Sequence, residues 1–144
     1  MQPPFYDAKE FYMKKRERNS FLTPLVVEVM PSGKTFKVAR EFTYAWKRGT
    51  IPFHVPVGFA TDFASIPRFA RLIIPKLGKY TKASVIHDYI YQTPQIMQTR
   101  KIADLIFLDG MKDLGVVKWK RTLMYWAVRV GGYFAWQKRS PCGF

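Results

Sequence analysis

The apolar residues of this chain change their spacing near residue 80, and that change limits the folds open to it. Before it, β-branched and aromatic residues come in short runs broken by turn signals. Leu25–Met30 (LVVEVM) leads into Pro31-Ser32-Gly33-Lys34 and then the alternating stretch Thr35–Tyr44, which predicts a β-hairpin. Lys47-Arg48-Gly49 makes another turn. Ile51–Phe59 is a third extended segment; Pro52 and Pro56 lack amide donors, which places it at a sheet edge or makes it partly irregular. Beyond residue 80 the period is helical. One helix starts at Thr81 as N-cap and stops at Thr93-Pro94, because a residue before proline avoids helical geometry. A second runs from the N-cap Thr99 to a stop at Gly115, with Ile102, Ala103, Ile106, Phe107, Met111 and Leu114 as its stripe. The third carries Trp119, Leu123, Trp126, Ala127, Val130 and Phe134. The expectation is an α+β fold: a small antiparallel sheet (about 25–59) packed against three helices (about 81–93, 99–114 and 117–137). At 144 residues it reads as a single domain, 1–144, with 1–20 a basic N-terminal arm or short helix.

Charge narrows the partners. The net charge is +14, with eight basic and five acidic side chains in residues 1–41 against sixteen and five in 42–144. Such a surface attracts polyanions: nucleic acid, anionic lipid or an acidic protein face. Cys142 is the sole cysteine, so no internal disulfide forms. Residues 1–18 lack the apolar core of a signal peptide, and no run of 18 uncharged apolar residues marks a spanning helix. The third helix is apolar nearly all round. That suits burial in the core or in a homo-oligomer, or contact with a membrane interface through its tryptophans and flanking Lys118, Lys120, Arg121, Lys138 and Arg139. Arg129 and Gly131-Gly132 in its middle argue against spanning.

The chemistry concentrates in Thr81–Tyr91 (TKASVIHDYIY). His87 and Tyr91 share a helix face, with Asp88 beside them. Asp104 borders the apolar stripe of the next helix and needs a partner there, which His87 or Tyr91 can supply. Asp109 and Asp113 fall further round toward solvent. In the preceding loop, Asp62 with Ser65 suits a local side-chain-to-backbone turn, with Pro67 at the start of a short helix, or else an oxygen-rich loop facing the His87 helix. His54 reads as a surface or packing histidine. Three chemistries fit. His87 is a general base oriented by Asp104, with Asp88 and loop carbonyls binding calcium. Alternatively Asp62, His87, Asp88 and Asp104 ligate one transition metal, or Ser65, His87 and an acid form a triad, although Ser65 lacks a nucleophile elbow. A purely structural polar network would use the same residues.

Residues Val55–Trp136 resemble an uncharacterised family of small phage, prophage and bacterial proteins of unknown function. The resemblance rests on Val55–Arg68 (VP-x-GF-x-TDFASIPR), Ala83–Tyr91 (A-x-x-x-HD-x-x-Y), Ala103–Phe107 (AD-x-x-F) and the tryptophan-rich Trp119–Trp136. It implies a viral or prophage origin, other virion proteins as partners, and a location in the virion or host cytoplasm. HD-x-x-Y followed by AD-x-x-F is also similar to the helical core of phospholipase A2. That similarity implies His87 as general base, Asp88 as calcium-binding aspartate, Asp104 as the second acid and Tyr91 as its hydrogen-bond partner. The chain departs from that pattern in having no disulfides and no glycine-rich calcium loop; Pro56–Asp62, with one glycine, is the candidate for that loop. The expectation is a phage accessory or virion-associated protein with a calcium-dependent lipid-hydrolase site: His87, Asp104 and Tyr91 catalytic, Asp88 and Asp62 metal-binding. The alternative is a non-enzymatic virion or assembly protein whose basic surface binds nucleic acid or another virion protein.

Overall fold

A computed structural model describes residues 20–49, 52–62, 77–93, 95–96 and 99–138. The basic arm (residues 1–19 of it), Ser65, Pro67, Arg139 and Cys142 lie outside the described residues, as do the side chains of Phe134, Ala135 and Lys138. The chain forms β1 (Val27–Val29), β2 (Phe36–Val38), β3 (Phe42–Tyr44), β4 (Phe53–Val55), β5 (Ala60–Thr61), α1 (Thr81–Gln92), α2 (Arg100–Asp113) and α3 (Lys118–Lys138). This is the α+β arrangement expected, with the strands divided between two antiparallel sheets of order β1-β2-β5 and β3-β4.

The hairpin forms at Pro31–Lys34, where Gly33 takes φ +67°, a conformation that suits glycine. Its register sets Val27 opposite Val38 and Val29 opposite Phe36. On β2, Phe36 and Val38 point inward and Lys37 outward, the period-two pattern of a sheet with one covered face. Bends at Ala39 and Arg40 end β2, so Phe42–Tyr44 starts a separate sheet rather than prolonging the hairpin. β4 pairs only with β3, matching Phe42 with Val55 and Tyr44 with Phe53, and so tolerates prolines on either side. All three β3 residues are buried. The segment 20–22 covers them, through Leu22 N–H to Thr43 O and Ala45 N–H to Ser20 O.

The helix ends follow their local chemistry. Thr81 is the first helical residue, and its hydroxyl both accepts from Gly78 N–H (2.9 Å) and donates to Gly78 O (2.8 Å). α2 begins after Thr99 and ends in a Schellman motif: Gly115 has φ +71° and donates to Lys112 O, while Val116 N–H reaches Met111 O. One core joins both layers. It runs from Phe36, Val38, Phe42 and Val55 to Ile86, Ile90, Ile106 and Phe107.

Two expectations about faces are corrected. On α3 the buried side chains are Met124 and Ala127, while Trp119, Trp126 and Val130 of the expected stripe are exposed. Both sets are apolar, so periodicity could not tell which one meets the core. Asp109 and Asp113 do not point to solvent. Asp109 accepts from Trp46 Nε1 (2.9 Å) and Arg48 (3.0 Å), and Asp113 meets Lys47 (3.1 Å) and the Tyr44 hydroxyl (3.3 Å). The end of β3 and the loop after it fold over this side of α2 and supply the donors.

Candidate functional site

α1 and α2 cross where both have small side chains. A Cβ on Gly110 would lie 3.1 Å from that of Ala83, so the helices approach closely. Two turns back along α2, Asp104 enters this interface with 0% of its surface exposed. A carboxylate cannot be buried there without donors, and it has several. Oδ1 accepts from His87 Nε2 at 2.7 Å and from the Tyr91 hydroxyl at 2.6 Å. Oδ2 accepts from Arg129 Nη1 of α3 at 2.9 Å, with Arg100 Nη1 at 3.9 Å. His87 and Tyr91 are one turn apart, so both side chains reach the same oxygen. The imidazole also packs against the rings of Tyr91 and Phe107, at 4.2 and 4.9 Å between centroids.

These donors decide the protonation of the group. Burial alone would raise the Asp104 pKa, but the hydrogen bonds from His87, Tyr91 and Arg129 outweigh it and hold the carboxyl below its ordinary value. Tyr91 moves the other way: burial, then its hydrogen bond to Asp104, raise its pKa and keep it a neutral donor. An ionised carboxylate only accepts, so Nε2 of His87 carries the proton that it donates to Oδ1, and Nδ1 faces away from the carboxylate. Oriented in this way, the imidazole can take a proton at Nδ1.

α3 completes the network. A Cβ on Gly132 would lie 2.8 Å from the Tyr91 hydroxyl, and Trp136 packs edge-on against the Tyr91 ring (5.1 Å). Arg100 ties α2 to α3 by donating to Arg129 O at 2.6 Å. The sequence reading used Arg129 only as an obstacle to a membrane span. Its signal was available: it is the one charge between Thr122 and Gln137.

Asp88 points elsewhere. One position on from His87, it is rotated by about 100° toward the sheet, where Oδ2 accepts from the Thr61 hydroxyl of β5 at 2.5 Å. The four acidic and imidazole groups grouped by the sequence reading therefore separate. His87, Tyr91 and Asp104 come together between the helices, and Asp88 joins Thr61 at the sheet, with Asp62 next along the chain and exposed. Among the described residues, no three His, Cys, Asp or Glu side chains are placed to hold one metal ion, so the four-ligand transition-metal arrangement is not assembled. Asp88, Asp62 and Thr61 offer only hard oxygen donors, which suit calcium rather than zinc. Backbone oxygens would supply the remainder. In the loop Pro56–Asp62, Pro56 O already accepts from Phe59 N–H and Phe59 O from Val38 N–H, leaving one lone pair on each. His54 is an exposed histidine beside Thr43 (3.1 Å) and Glu41 (3.4 Å).

Comparisons with known proteins agree on where this chain belongs. The family described as "Protein of unknown function (DUF1353)" matches residues 36–128, a span containing His87, Asp88, Tyr91 and Asp104. The uncharacterized protein y4jT of Sinorhizobium fredii (strain NBRC 101917 / NGR234) is 39% identical over 99 residues, covering 67% of this chain and 29% of that protein. The chain thus spans less than a third of that relative's length. No solved structure matches it significantly. With its matched span running from β2 into α3 and enclosing both carboxylate clusters, the chain belongs to the DUF1353 family.

Proposed function

We propose that this protein is a phage-encoded accessory or virion-associated protein with a phospholipase A2-like, calcium-dependent lipid-hydrolase site. The observation that carries the reading is the shared oxygen: His87 Nε2 and the Tyr91 hydroxyl both bond Asp104 Oδ1, at 2.7 and 2.6 Å. Asp104 and Tyr91 thus fix the imidazole between two helices and set the direction of its second nitrogen. His87 Nδ1 removes a proton from water, and the water oxygen adds to the ester carbonyl carbon. As the tetrahedral intermediate collapses, the proton passes from Nδ1 to the departing alkoxide, giving a carboxylic acid and an alcohol. Asp104 stabilises the imidazolium between these steps, and Arg129 keeps Asp104 ionised. A calcium ion held by Asp88, Asp62 and loop carbonyls would polarise the ester carbonyl when bound.

A second reading has its own support. Complete burial of Asp104 among donors from three helices is also what a structural clamp requires. On that reading the protein is a non-enzymatic virion or assembly component. Release of fatty acid from phosphatidylglycerol vesicles, with calcium and with a chelator, tests the first reading. Calcium-dependent release that His87→Gln abolishes, with the circular dichroism unchanged, supports the hydrolase. No release from folded wild-type protein leaves the clamp.

A further inference from the structure

α3 has two working faces. Arg129, Gly132 and Trp136 look inward at Asp104 and Tyr91. About a quarter-turn round the helix, Trp119, Trp126, Val130 and Tyr133 are between half and three-quarters exposed, with the Arg100 guanidinium 5.9 Å from the centre of the Tyr133 ring. Intervals of seven, four and three residues put them within about 60° of arc, in a row about 21 Å long. Scattered single apolar side chains would mean nothing, but a continuous row ending in aromatics marks a contact surface.

Charge identifies what it contacts. α3 carries five basic residues and no acid. Three of them, Lys118, Lys120 and Arg121, stand at its N-terminal turn, where the helix macrodipole disfavours cations. Helix stability therefore does not account for them. Arg121 is used internally, donating to Val116 O at 3.1 Å. Lys118 is exposed, and the Lys120 ammonium lies 5.5 Å from the centre of the exposed Trp119 ring. Tryptophan beside lysine suits the boundary of a bilayer, with the ring among glycerol and acyl carbons and the ammonium at the phosphates. No helix among the described residues is long and apolar enough to cross a membrane, so α3 would lie in the surface plane. A second copy fits less well, because each copy brings a net charge of +14.

We infer that the outer face of α3 seats the protein on an anionic phospholipid surface, with Trp119, Trp126, Val130 and Tyr133 entering the interface and Lys118 and Lys120 meeting headgroup phosphates. The inference deepens the lipid-hydrolase reading by naming its docking face, but the contact does not depend on catalysis. His87→Gln protein is therefore the background for the test. The full chain is sedimented with vesicles of phosphatidylcholine alone and of phosphatidylcholine with phosphatidylglycerol in equal parts. Binding should favour the anionic vesicles. Trp126→Ser with Val130→Ser should weaken it roughly ten- to a hundredfold, since both side chains are mainly exposed and circular dichroism checks that losing the Trp126 ring contact with Tyr125 leaves the helix intact. Lys118→Gln with Lys120→Gln should remove the preference for phosphatidylglycerol. Absence of vesicle binding would overturn the inference. So would binding unchanged by the Trp126/Val130 pair, or a stable dimer in sedimentation velocity that this pair dissolves. Binding without hydrolysis by the wild type would sink the catalytic reading and leave the docking face standing.

Discussion

Helix α2 holds two carboxylate clusters that look alike on paper and differ in setting. Asp104 is sealed between three helices and bonded to a histidine, a tyrosine and an arginine. Asp109 and Asp113, one and two turns on, keep 12% and 14% of their side chains exposed and bond Tyr44 of β3 and Trp46, Lys47 and Arg48 of the loop after it. The donors of the second cluster include no histidine. Burial, then the charges of Asp113 and Asp109, raise the Tyr44 pKa and keep its hydroxyl a neutral donor. That cluster fastens β3 and the loop after it to α2. The first brings the imidazole of His87 onto its carboxylate at 2.7 Å. Asp109 and Asp113 thus form an internal control: whatever they do, a structural network does.

The comparison breaks most visibly at Asp104. Asp104→Asn leaves Arg129 facing an uncharged amide and should cost about 3–5 kcal/mol in chemical denaturation, the usual cost of stripping one partner from a buried ionic network. The pH dependence follows from the lowered Asp104 pKa. Its stabilising effect is fully present above the unfolded carboxylate value of about 4 and is lost as pH falls through the lower folded value. The Tm gap between wild type and Asp104→Asn should therefore close in acid, not in alkali. A gap constant from pH 7 to pH 2 would contradict the assignment.

Gly132 sharpens the role of α3. Gly132→Ala adds a methyl 2.8 Å from the Tyr91 hydroxyl and should displace it from Asp104, costing about 1–2 kcal/mol net of the helix-propensity gain. The neighbouring Gly131→Ala, at an exposed position, should instead stabilise by up to about 1 kcal/mol. Equal effects of the two would mean that Tyr91 is not held where the network requires. The smallest change is expected at Asp109→Asn, about 1 kcal/mol or less, since its ion pair with Arg48 is partly solvated.

What could be read from the sequence followed how local each signal was. Helix ends were legible because Gly115 and the pair Thr93-Pro94 act within a turn of themselves. The pairing of His87 and Tyr91 with Asp104 was legible because four-residue spacing puts the first two on one face, and a rim carboxylate on the next helix needs donors. Arg129 was not assigned because it reaches Asp104 from a third helix, 25 residues along the chain. Asp109 and Asp113 were read as solvent-facing for the same reason, their donors lying more than 60 residues upstream. For the outward row on α3 the sequence leaves core, homo-oligomer and membrane interface open, because an apolar stripe does not say what covers it. The division into two sheets turned on the bends at Ala39 and Arg40, for which the run from Thr35 to Tyr44 carries no turn signal.

The most direct measurement is fatty-acid release from phosphatidylglycerol vesicles by three proteins matched for folding: wild type, His87→Gln and Asp109→Asn. If the buried cluster is the working site and the loop cluster its structural counterpart, His87→Gln should lose roughly 100- to 10,000-fold in calcium-dependent rate, while Asp109→Asn keeps the wild-type rate. A wild type that releases nothing, or a folded His87→Gln protein as active as wild type, would contradict the account.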